Sequence, residues 1–331
     1  MGSAMDREHR VGRRLKLRHM EILLAVVETG SMAKAGKRLA ISQPAISRAI
    51  AEMEHTLGVP IFDRSPHGVE PTQYGHALLK RGIAAFDEVA QAVKDIDFLA
   101  DPAVGELWIG TTPGLAEGIV LSVMERLSRQ YPRVVVHIVP GGLLIQHEAL
   151  RQRRIEFGFG GTTEPVSEDD VDAETLYEEP LTVVAGLDNP WSRRRKIKLA
   201  ELVNEPWTWP AAGTIIDSLV IEAFRANGIE PPRATIYADA YSLRLRLAAG
   251  GRFLAIVPAS IMKFPGKPGA ITVLPVDLPT TRRQIGIITL KNRTLSPLAQ
   301  LFIQCARDIA KPLAKGQSSS GRAKLGSTRN S

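Results

Sequence analysis

Cysteine is all but missing: Cys305 is the single one in 331 residues. That excludes an internal disulfide framework and a cysteine-based zinc site. Its apolar neighbours in a C-terminal helical pattern mark it as a packed residue. No run of about 18 apolar residues occurs, so no transmembrane helix is expected. Met1-Gly-Ser-Ala-Met5 is too short, and too soon followed by charge, to be a secretory signal. These absences place the chain in the cytoplasm, away from any membrane. The marks of common catalytic folds are missing too. Gly158-Phe159-Gly160-Gly161 lacks the third glycine and the following acid of a dinucleotide fingerprint, and there is no Walker-type loop and no Gly-x-Ser-x-Gly elbow. The histidines (His9, His19, His55, His67, His76, His137 and His147) show no metal-ligand spacing with acids on one helix face. No cofactor and no metal are expected, and the chain does not read as an enzyme.

An acidic surplus is absent as well. Net charge is +7 and the isoelectric point is near 9.6. Between Arg7 and Arg81 thirteen lysines and arginines face seven acids, a surplus of six, which suits a phosphate backbone.

What the sequence does contain is a patterned run from Ser31 to Phe62. Ser31-Met-Ala-Lys-Ala-Gly-Lys-Arg-Leu39 predicts a short helix capped by Ser31, with Ala35 small enough for close helix contact. Ala40-Ile41 predicts a tight turn. Ser42 then caps a second helix, and Pro44 is tolerated in its first turn because the missing N–H has no intrahelical partner there. Ile46, Ile50, Met53 and Leu57 recur in steps of four, three and four, one buried stripe. Pro44, Ser47, Arg48 and Ala51 fall opposite it, Gln43 lies at the N-terminal end, and Gly58 ends the helix. Arg18–Thr29 carries Met20, Leu23, Leu24 and Val27 on one face and supplies a third core helix. Ser65-Pro66-His67-Gly68 predicts a hairpin tip between Ile61-Phe62 and Val69.

This is the layout of a helix-turn-helix, whose second helix enters the DNA major groove. In that reading Gln43 can pair with adenine, Arg48 with guanine or phosphate, and Ser42 and Ser47 with bases or phosphate, with Pro44 allowing close approach. Ser31 and Lys34 flank the groove, and Arg64 and His67 serve a wing. By pattern alone an ordinary three-helix bundle with a solvated polar face remains open. So do two other classes: a ligand-binding receptor whose bundle holds protein, and an enzyme on the later lobes.

Residues 16–76 resemble the N-terminal domain of LysR-type transcriptional regulators. Ser42-Gln-Pro-Ala-x-Ser-Arg48, Ile50, Met53-Glu54, Leu57-Gly-Val-Pro-Ile-Phe-x-Arg64 and Thr72-x-x-Gly75 match that family in order and spacing. Four positions depart from it. Gly36 stands where the family has Ala, loosening the first helix by up to about 1 kcal/mol; Met53 replaces Leu; Pro71 and Tyr74 replace Leu and Ala. The resemblance implies sequence-specific binding to interrupted palindromes in duplex DNA. It also implies a homodimer or homotetramer, a small-molecule effector that changes DNA bending, and RNA polymerase as a further partner.

Tyr74–Leu99 predicts a long amphipathic helix with Leu79, Ile83, Phe86, Val89, Val93, Ile96 and Leu99 on its stripe. The resemblance makes it a linker that pairs with its twin. Asp101-Pro102-Ala103 breaks it and marks a hinge. Strands at Glu106–Gly110, Val134–Val139 and Ile155–Phe159 alternate with helices at Leu115–Tyr131 and Leu143–Arg153, which predicts a parallel sheet. A second set follows: the strand Leu181–Gly186, the helices Leu199–Val203 and Ile216–Asn227, the strand Thr235–Tyr237, the helix Tyr241–Gly250 and the strand Phe253–Val257. The strand Ile285–Leu290 and the helix Leu295–Ala310 return to the first lobe. Arg193–Lys196 reads as a solvated turn and Trp207-Thr-Trp209 as packing.

The expected fold class is therefore α/β multidomain. It comprises an N-terminal extension (1–14), a winged helix-turn-helix (15–73) and a linker helix with hinge (74–103). A two-lobed α/β effector domain (104–310) similar to periplasmic solute-binding proteins follows, then a disordered basic tail (311–331). Lobe one spans about 104–178 and 284–310, and lobe two about 179–283. Small molecules bind beyond the carboxyl ends of strands in such sheets, often at helix N-termini that suit an anion. That nominates Thr111 and Thr112, Gly141 and Gly142, Gly161 and Thr162, and Tyr241, with Thr214 a weaker candidate. Each alone is also a plain turn or cap.

Overall fold

The computed structural model describes residues 14–65, 68–162, 170–263 and 270–322. Its internal contacts separate two compact units, Met1–Lys94 and Asp95–Ser331.

In the first unit, helices α1 (Leu17–Thr29), α2 (Met32–Arg38) and α3 (Gln43–Leu57) begin and end where the local chemistry dictates. Gly30 (φ 64°) closes α1 in the left-handed region, with its N–H on the Val26 carbonyl. The Ser31 hydroxyl accepts the Lys34 N–H at the start of α2, the Ser42 hydroxyl accepts the Ala45 N–H at the start of α3, and Gly58 (φ 73°) ends α3. The three helices bury Leu23, Val26, Ala35, Ile46, Ile50, Met53 and Ile61 completely. Each large apolar side chain so buried contributes about 1.5–3 kcal/mol. β1 (Phe62–Ser65) and β2 (Gly68–Pro71) pair antiparallel from Phe62↔Pro71 to Ser65↔Gly68, as the hairpin reading expected. The tip itself lies outside the described residues.

Helix α4 (Gln73–Ala100) opens on Thr72, whose hydroxyl accepts the Gly75 N–H and donates to the Pro60 carbonyl. On its second half Val89, Val93, Ile96 and Leu99 stand exposed, Leu99 at 82%.

In the second unit, β3 (Val104–Thr111) pairs parallel with β4 (Arg133–Pro140) and β5 (Phe157–Gly161). The expectation of a parallel sheet holds there and then fails. β12 (Arg283–Leu290) runs antiparallel between β5 and β6 (Val171–Glu179), giving the order β4-β3-β5-β12-β6. β6 carries Asp172, Glu174, Glu178 and Glu179, so it shows no apolar run; it pairs through its backbone beside the returning strand. The second sheet, β11-β7-β10-β8-β9, is also mixed. It contains β7 (Leu181–Gly186), β8 (Trp207–Trp209), β9 (Ile236–Tyr237), β10 (Leu254–Pro258) and β11 (Ile271–Val273).

Lobe one packs Leu107, Ile109, Phe157, Phe159, Ile285 and Ile287 against Phe302 and Ala306 of the last helix. Lobe two packs Val183, Trp207, Trp209, Leu254 and Ile256 against Phe224. The chain crosses between the lobes after β6 and before β12. There Thr281 Oγ1 donates to the Leu278 carbonyl and accepts the Leu181 N–H, so one hydroxyl ties both crossings.

Two expected helices change shape. Leu115–Tyr131 is not continuous. Pro113–Leu115 is followed by a wide turn at Ala116–Val120, where Gly118 (φ −115°, ψ −107°) leaves the helical region, and only then by a regular helix, Leu121–Gln130. The closing helix does not stop at Ala310 before a tail from 311. It runs Pro297–Arg322 through Pro312. Leu313, 8% exposed, extends the buried row of Phe302, Ala306 and Ala310 by one more turn, and a proline removes one intrahelical bond without ending that packing. Residues 323–331 lie outside the described residues.

Candidate nucleic-acid interface and interlobe cleft

The polar face of α3 is set by its buried one. With Ile46, Ile50 and Met53 fully buried, Gln43, Pro44, Arg48 and Ala51 are exposed. Gln43 and Arg48 form no side-chain hydrogen bond or ion pair within the described residues, so both are free to bind. The serines are partly committed. Ser31 and Ser42 accept cap bonds, leaving each an O–H to donate. The Ser47 hydroxyl is half-buried and points at Met32 Sδ (3.3 Å), back toward α2. Lys34 is exposed on α2. The backbone of Arg64 lies in β1 opposite Val69, and His67 lies outside the described residues.

The turn that sets the angle between α2 and α3 is tight. Ala40 takes φ 54°. The Ile41 N–H donates to the Gly36 carbonyl at 2.9 Å, and a Cβ on Gly36 would sit 2.7 Å from the Ile41 carbonyl oxygen. The departure at Gly36 therefore serves a close backbone approach here rather than merely loosening α2. Glu54 is a residue whose role the sequence concealed. Its Oε1 accepts the N–H groups of Ile61 (2.9 Å) and Phe62 (3.3 Å), fastening the entry of the hairpin to α3.

In the second unit, the candidate ligand residues divide. Thr111, Thr112, Gly141 and Gly161 gather at the carboxyl end of one sheet. Thr111 is in register with Pro140 and Phe159, and its carbonyl accepts the Gly141 N–H. Thr111 is fully buried, with its hydroxyl on the Thr112 carbonyl. Gly142 is the exposed N-cap of the helix Leu143–Arg151. Thr162 lies one residue beyond Gly161, with its hydroxyl 2.9 Å from that of Thr175. Tyr241 reaches them from lobe two: a Cβ on Gly114 would lie 2.8 Å from its ring. Thr214 plays a different part. Its hydroxyl accepts the Asp217 N–H and donates to the Ala211 carbonyl, a complete helix cap. Asp217 in turn holds the Trp209 indole N–H (2.8 Å) and the Gly213 N–H.

Sequence reasoning missed the polar residues that organise this boundary. Gln146, buried on the helix Leu143–Arg151, donates to the carbonyls of both Gly141 (2.9 Å) and Phe159 (3.1 Å), binding two strand ends together. Glu179, 2% exposed, accepts from Arg283 (2.8 Å) and from the Ser260 N–H (3.2 Å). Arg244 is fully buried with its guanidinium 4.4 Å from the centre of the Tyr241 ring. Burial pushes the Tyr241 phenol above its ordinary pKa, while Arg283 and Arg244 pull it back. No sequence signal marks these as buried, because Gln, Glu and Arg on amphipathic elements are ordinarily solvated.

Comparison with known proteins agrees with both halves of this geometry. Residues 17–76 match the family description "Bacterial regulatory helix-turn-helix protein, lysR family", and residues 100–311 match "LysR substrate binding domain". The chain is 28% identical over 295 residues to the HTH-type transcriptional regulator GbpR of Azospirillum brasilense, covering 89% of this chain and 86% of that protein. It is 26% identical over 290 residues to the transcriptional dual regulator GltC of Bacillus subtilis, covering 88% and 96%. Among solved structures it is similar to full-length CbnR in complex with its target DNA, with 25% identity and a TM-score of 0.51 over 89% of this chain and all of that one. Full-length OxyR from Pseudomonas aeruginosa shares the fold, with a TM-score of 0.60 at 22% identity over 90% of this chain and 95% of that one.

Proposed function

Because this chain belongs to the LysR family of transcriptional regulators, we propose that α3 reads an interrupted palindrome and that a ligand between the lobes of the second unit controls that reading. The observation that carries the DNA part is the exposed row Gln43, Pro44 and Arg48, opposite a completely buried stripe. Gln43 lies at the N-terminal end of α3, the end that meets base edges first. Its amide suits adenine, and Arg48 suits guanine or a phosphate. Ser31, Lys34 and Ser42 lie beside the same end and position the helix on the backbone. Ser47 acts as a spacer, its hydroxyl turned to Met32. Arg64 and His67 extend the contact to a flanking groove. The relative CbnR, solved with its target DNA, supports the same mode.

Dimerisation falls to α4. Its exposed Val89, Val93, Ile96 and Leu99 form an apolar row that a second copy covers, giving two reading heads for two half-sites. Pairing of dimers into a tetramer bends a longer site, and RNA polymerase is the partner that reads the result. The effector sits where Thr111, Thr112, Gly141, Gly161 and Tyr241 converge, with Gly142 and Thr162 at the margin and Thr214 as a support behind it. Binding there shifts one lobe on the other, a coupling free energy between two sites.

Sequencing of genomic fragments captured by the protein at physiological salt tests this. The wild type should recover interrupted palindromes beside promoters. Gln43→Ala should relax the preference at one half-site position. Arg64→Ala should weaken all sequences alike and reduce the salt slope by about one. An unchanged preference in Gln43→Ala would remove that residue from the base readers.

A further inference from the structure

The run Arg193-Arg194-Arg195-Lys196 reads as a solvated turn in the sequence, and its four side chains are exposed. What the sequence does not show is how firmly that turn is held. Before it, the Asn189 side chain accepts the Trp191 N–H (3.0 Å) and donates to the Gly251 carbonyl (2.8 Å). The Ser192 hydroxyl donates to the Leu187 carbonyl (2.7 Å). Within it, the Arg194 N–H donates to the Trp191 carbonyl (3.1 Å), and the Arg194 guanidinium lies 5.8 Å from the centre of the Trp191 ring. After it, Ile197 and Leu199 are buried in the core of lobe two. Four consecutive cations are thus fixed between two anchors and cannot spread apart as they would on a loose tail.

Nothing nearby offsets their charge. Among the described residues none of the four forms an ion pair. No acid stands between Asn189 and Ala200, and the next one, Glu201, turns its carboxylate to the Lys198 N–H (2.7 Å). Fixing like charges side by side works against the fold, because they repel. A polyanion laid along the loop relieves that repulsion. Four consecutive residues span roughly 10 Å, over which one strand of a duplex presents about three phosphates. Three of the four are arginines, whose planar forks match phosphate oxygens in pairs. Since the loop is already ordered, little freedom is lost on binding. A duplex is favoured over an acidic protein surface because the family already places this chain on DNA. A site carried on the same chain then meets phosphates at a high effective concentration.

We propose that the loop 193–196 is a second DNA contact, made by the second unit with the phosphate backbone and indifferent to base sequence. It rests on the chain binding duplex DNA, and not on α3 reading a palindrome. The loop adds affinity that salt weakens steeply, and it leaves the choice of site to the first unit.

The test uses the full-length protein and a mixed-sequence duplex of about 60 base pairs, with affinity followed against salt concentration. Arg193→Gln, Arg194→Gln, Arg195→Gln and Lys196→Gln together should lower the slope of log affinity against log salt by about two to three. Affinity at physiological salt should fall by about tenfold or more. A control carries Arg129→Gln, Arg225→Gln, Arg246→Gln and Lys291→Gln, which removes the same charge from scattered exposed positions of the same unit. It should keep the wild-type slope. If the loop variant fails to fold, the triple variant that retains Arg194 over Trp191 decides the matter, with a loss of slope of about two. Equal slopes in wild type and loop variant overturn the proposal. So does an equal fall in loop variant and control, which would reduce the effect to net charge. A loop variant that binds the duplex normally but loses a wild-type affinity for poly-glutamate also overturns it, and assigns the loop to an acidic protein. If captured fragments show no palindrome while the loop variant still loses its slope, the reading of α3 falls and the loop contact stands.

Discussion

Gly75 and Gly82 lie two turns apart on α4, both buried, and the same substitution should have opposite consequences at each. A Cβ on Gly75 would sit 2.2 Å from the Ile61 carbonyl oxygen and 3.1 Å from Pro71 Cβ. That oxygen is fixed, because it accepts the Thr72 N–H at 2.9 Å. Relieving the contact requires the start of α4 and the entry to β1 to separate by roughly 1 Å. Overpacking of this kind costs about 1–3 kcal/mol and occasionally more. It also breaks the Thr72 bonds that open the helix, so the cost falls at or above the upper end. Alanine in place of glycine returns about 1 kcal/mol of helix propensity. The net loss for Gly75→Ala is then about 2 kcal/mol, which for a unit of this size lowers the transition by on the order of 10 °C. At Gly82 the nearest atoms belong to Met20, with Sδ at 3.2 Å, a flexible side chain that yields cheaply. Gly82→Ala should be neutral or stabilising by up to about 1 kcal/mol. The first unit contains no tryptophan, so helical circular dichroism reports it and fluorescence does not. Gly75→Ala should separate the dichroism transition from an unmoved fluorescence transition. The reasoning fails if Gly75→Ala melts with Gly82→Ala or above it.

Ala40 occupies the left-handed region at φ 54°, which costs an L-residue about 1–2 kcal/mol. Set against the extra chain entropy of glycine, about 0.5–1 kcal/mol, Ala40→Gly should raise the dichroism transition slightly, and a lowered transition would show that the turn does not hold that angle. Glu54→Ala removes the acceptor of two N–H groups and should destabilise the first unit by about 1–3 kcal/mol. Glu54→Gln keeps an acceptor oxygen and should retain most of that stability, so equal losses in the two variants would refute the role. In the second unit, Arg307 grips Glu174 through Nε (2.8 Å) and Nη2 (2.7 Å) and holds its carboxyl below the ordinary value. The unfolded chain binds that proton more readily, so the contribution is complete above the ordinary glutamate value and is lost as pH falls through the lower folded one. The pair is well exposed, 43% and 44%, so the contribution is under about 1 kcal/mol. Arg307→Met should flatten the acid limb of the fluorescence stability curve by that amount, and an unchanged limb would show that the pair contributes nothing.

Elements with strong local rules were legible in the sequence. The caps at Ser31 and Ser42, the glycines after α1 and α3, and the stripe Ile46, Ile50 and Met53 each follow from chemistry within a few residues, and each is where that chemistry puts it. The hairpin around 66–67 and the long α4 were legible for the same reason. What the sequence hid was non-local. β6 has no apolar run of its own and exists because β12 returns beside it, register by register, from Arg283↔Glu179 to Leu290↔Val171. The continuation of the last helix past Pro312 was likewise decided by packing, against the local signal.

The polar residues of the lobe boundary show the same division most sharply. Tyr241 and Arg244 stand three apart, so any helix brings them to one face, and that much follows from the sequence. Whether the arginine is solvated or buried depends on what crosses beneath it. β10 does so, and the Ile256 carbonyl takes its Nη1. The nomination of Tyr241 came from its place at the start of a helix after a strand, a rule about where ligands bind that also favours an anion. The partners that fix these side chains are non-local: Arg244 is held by a strand that begins ten residues later, and Glu179 is committed to an arginine 104 residues away. A sequence pattern can thus point to the place of a ligand site through its turns and caps. How the charged side chains around it are held depends on distant partners, Glu179 for Arg283 and the Ile256 carbonyl for Arg244, which no local pattern reveals.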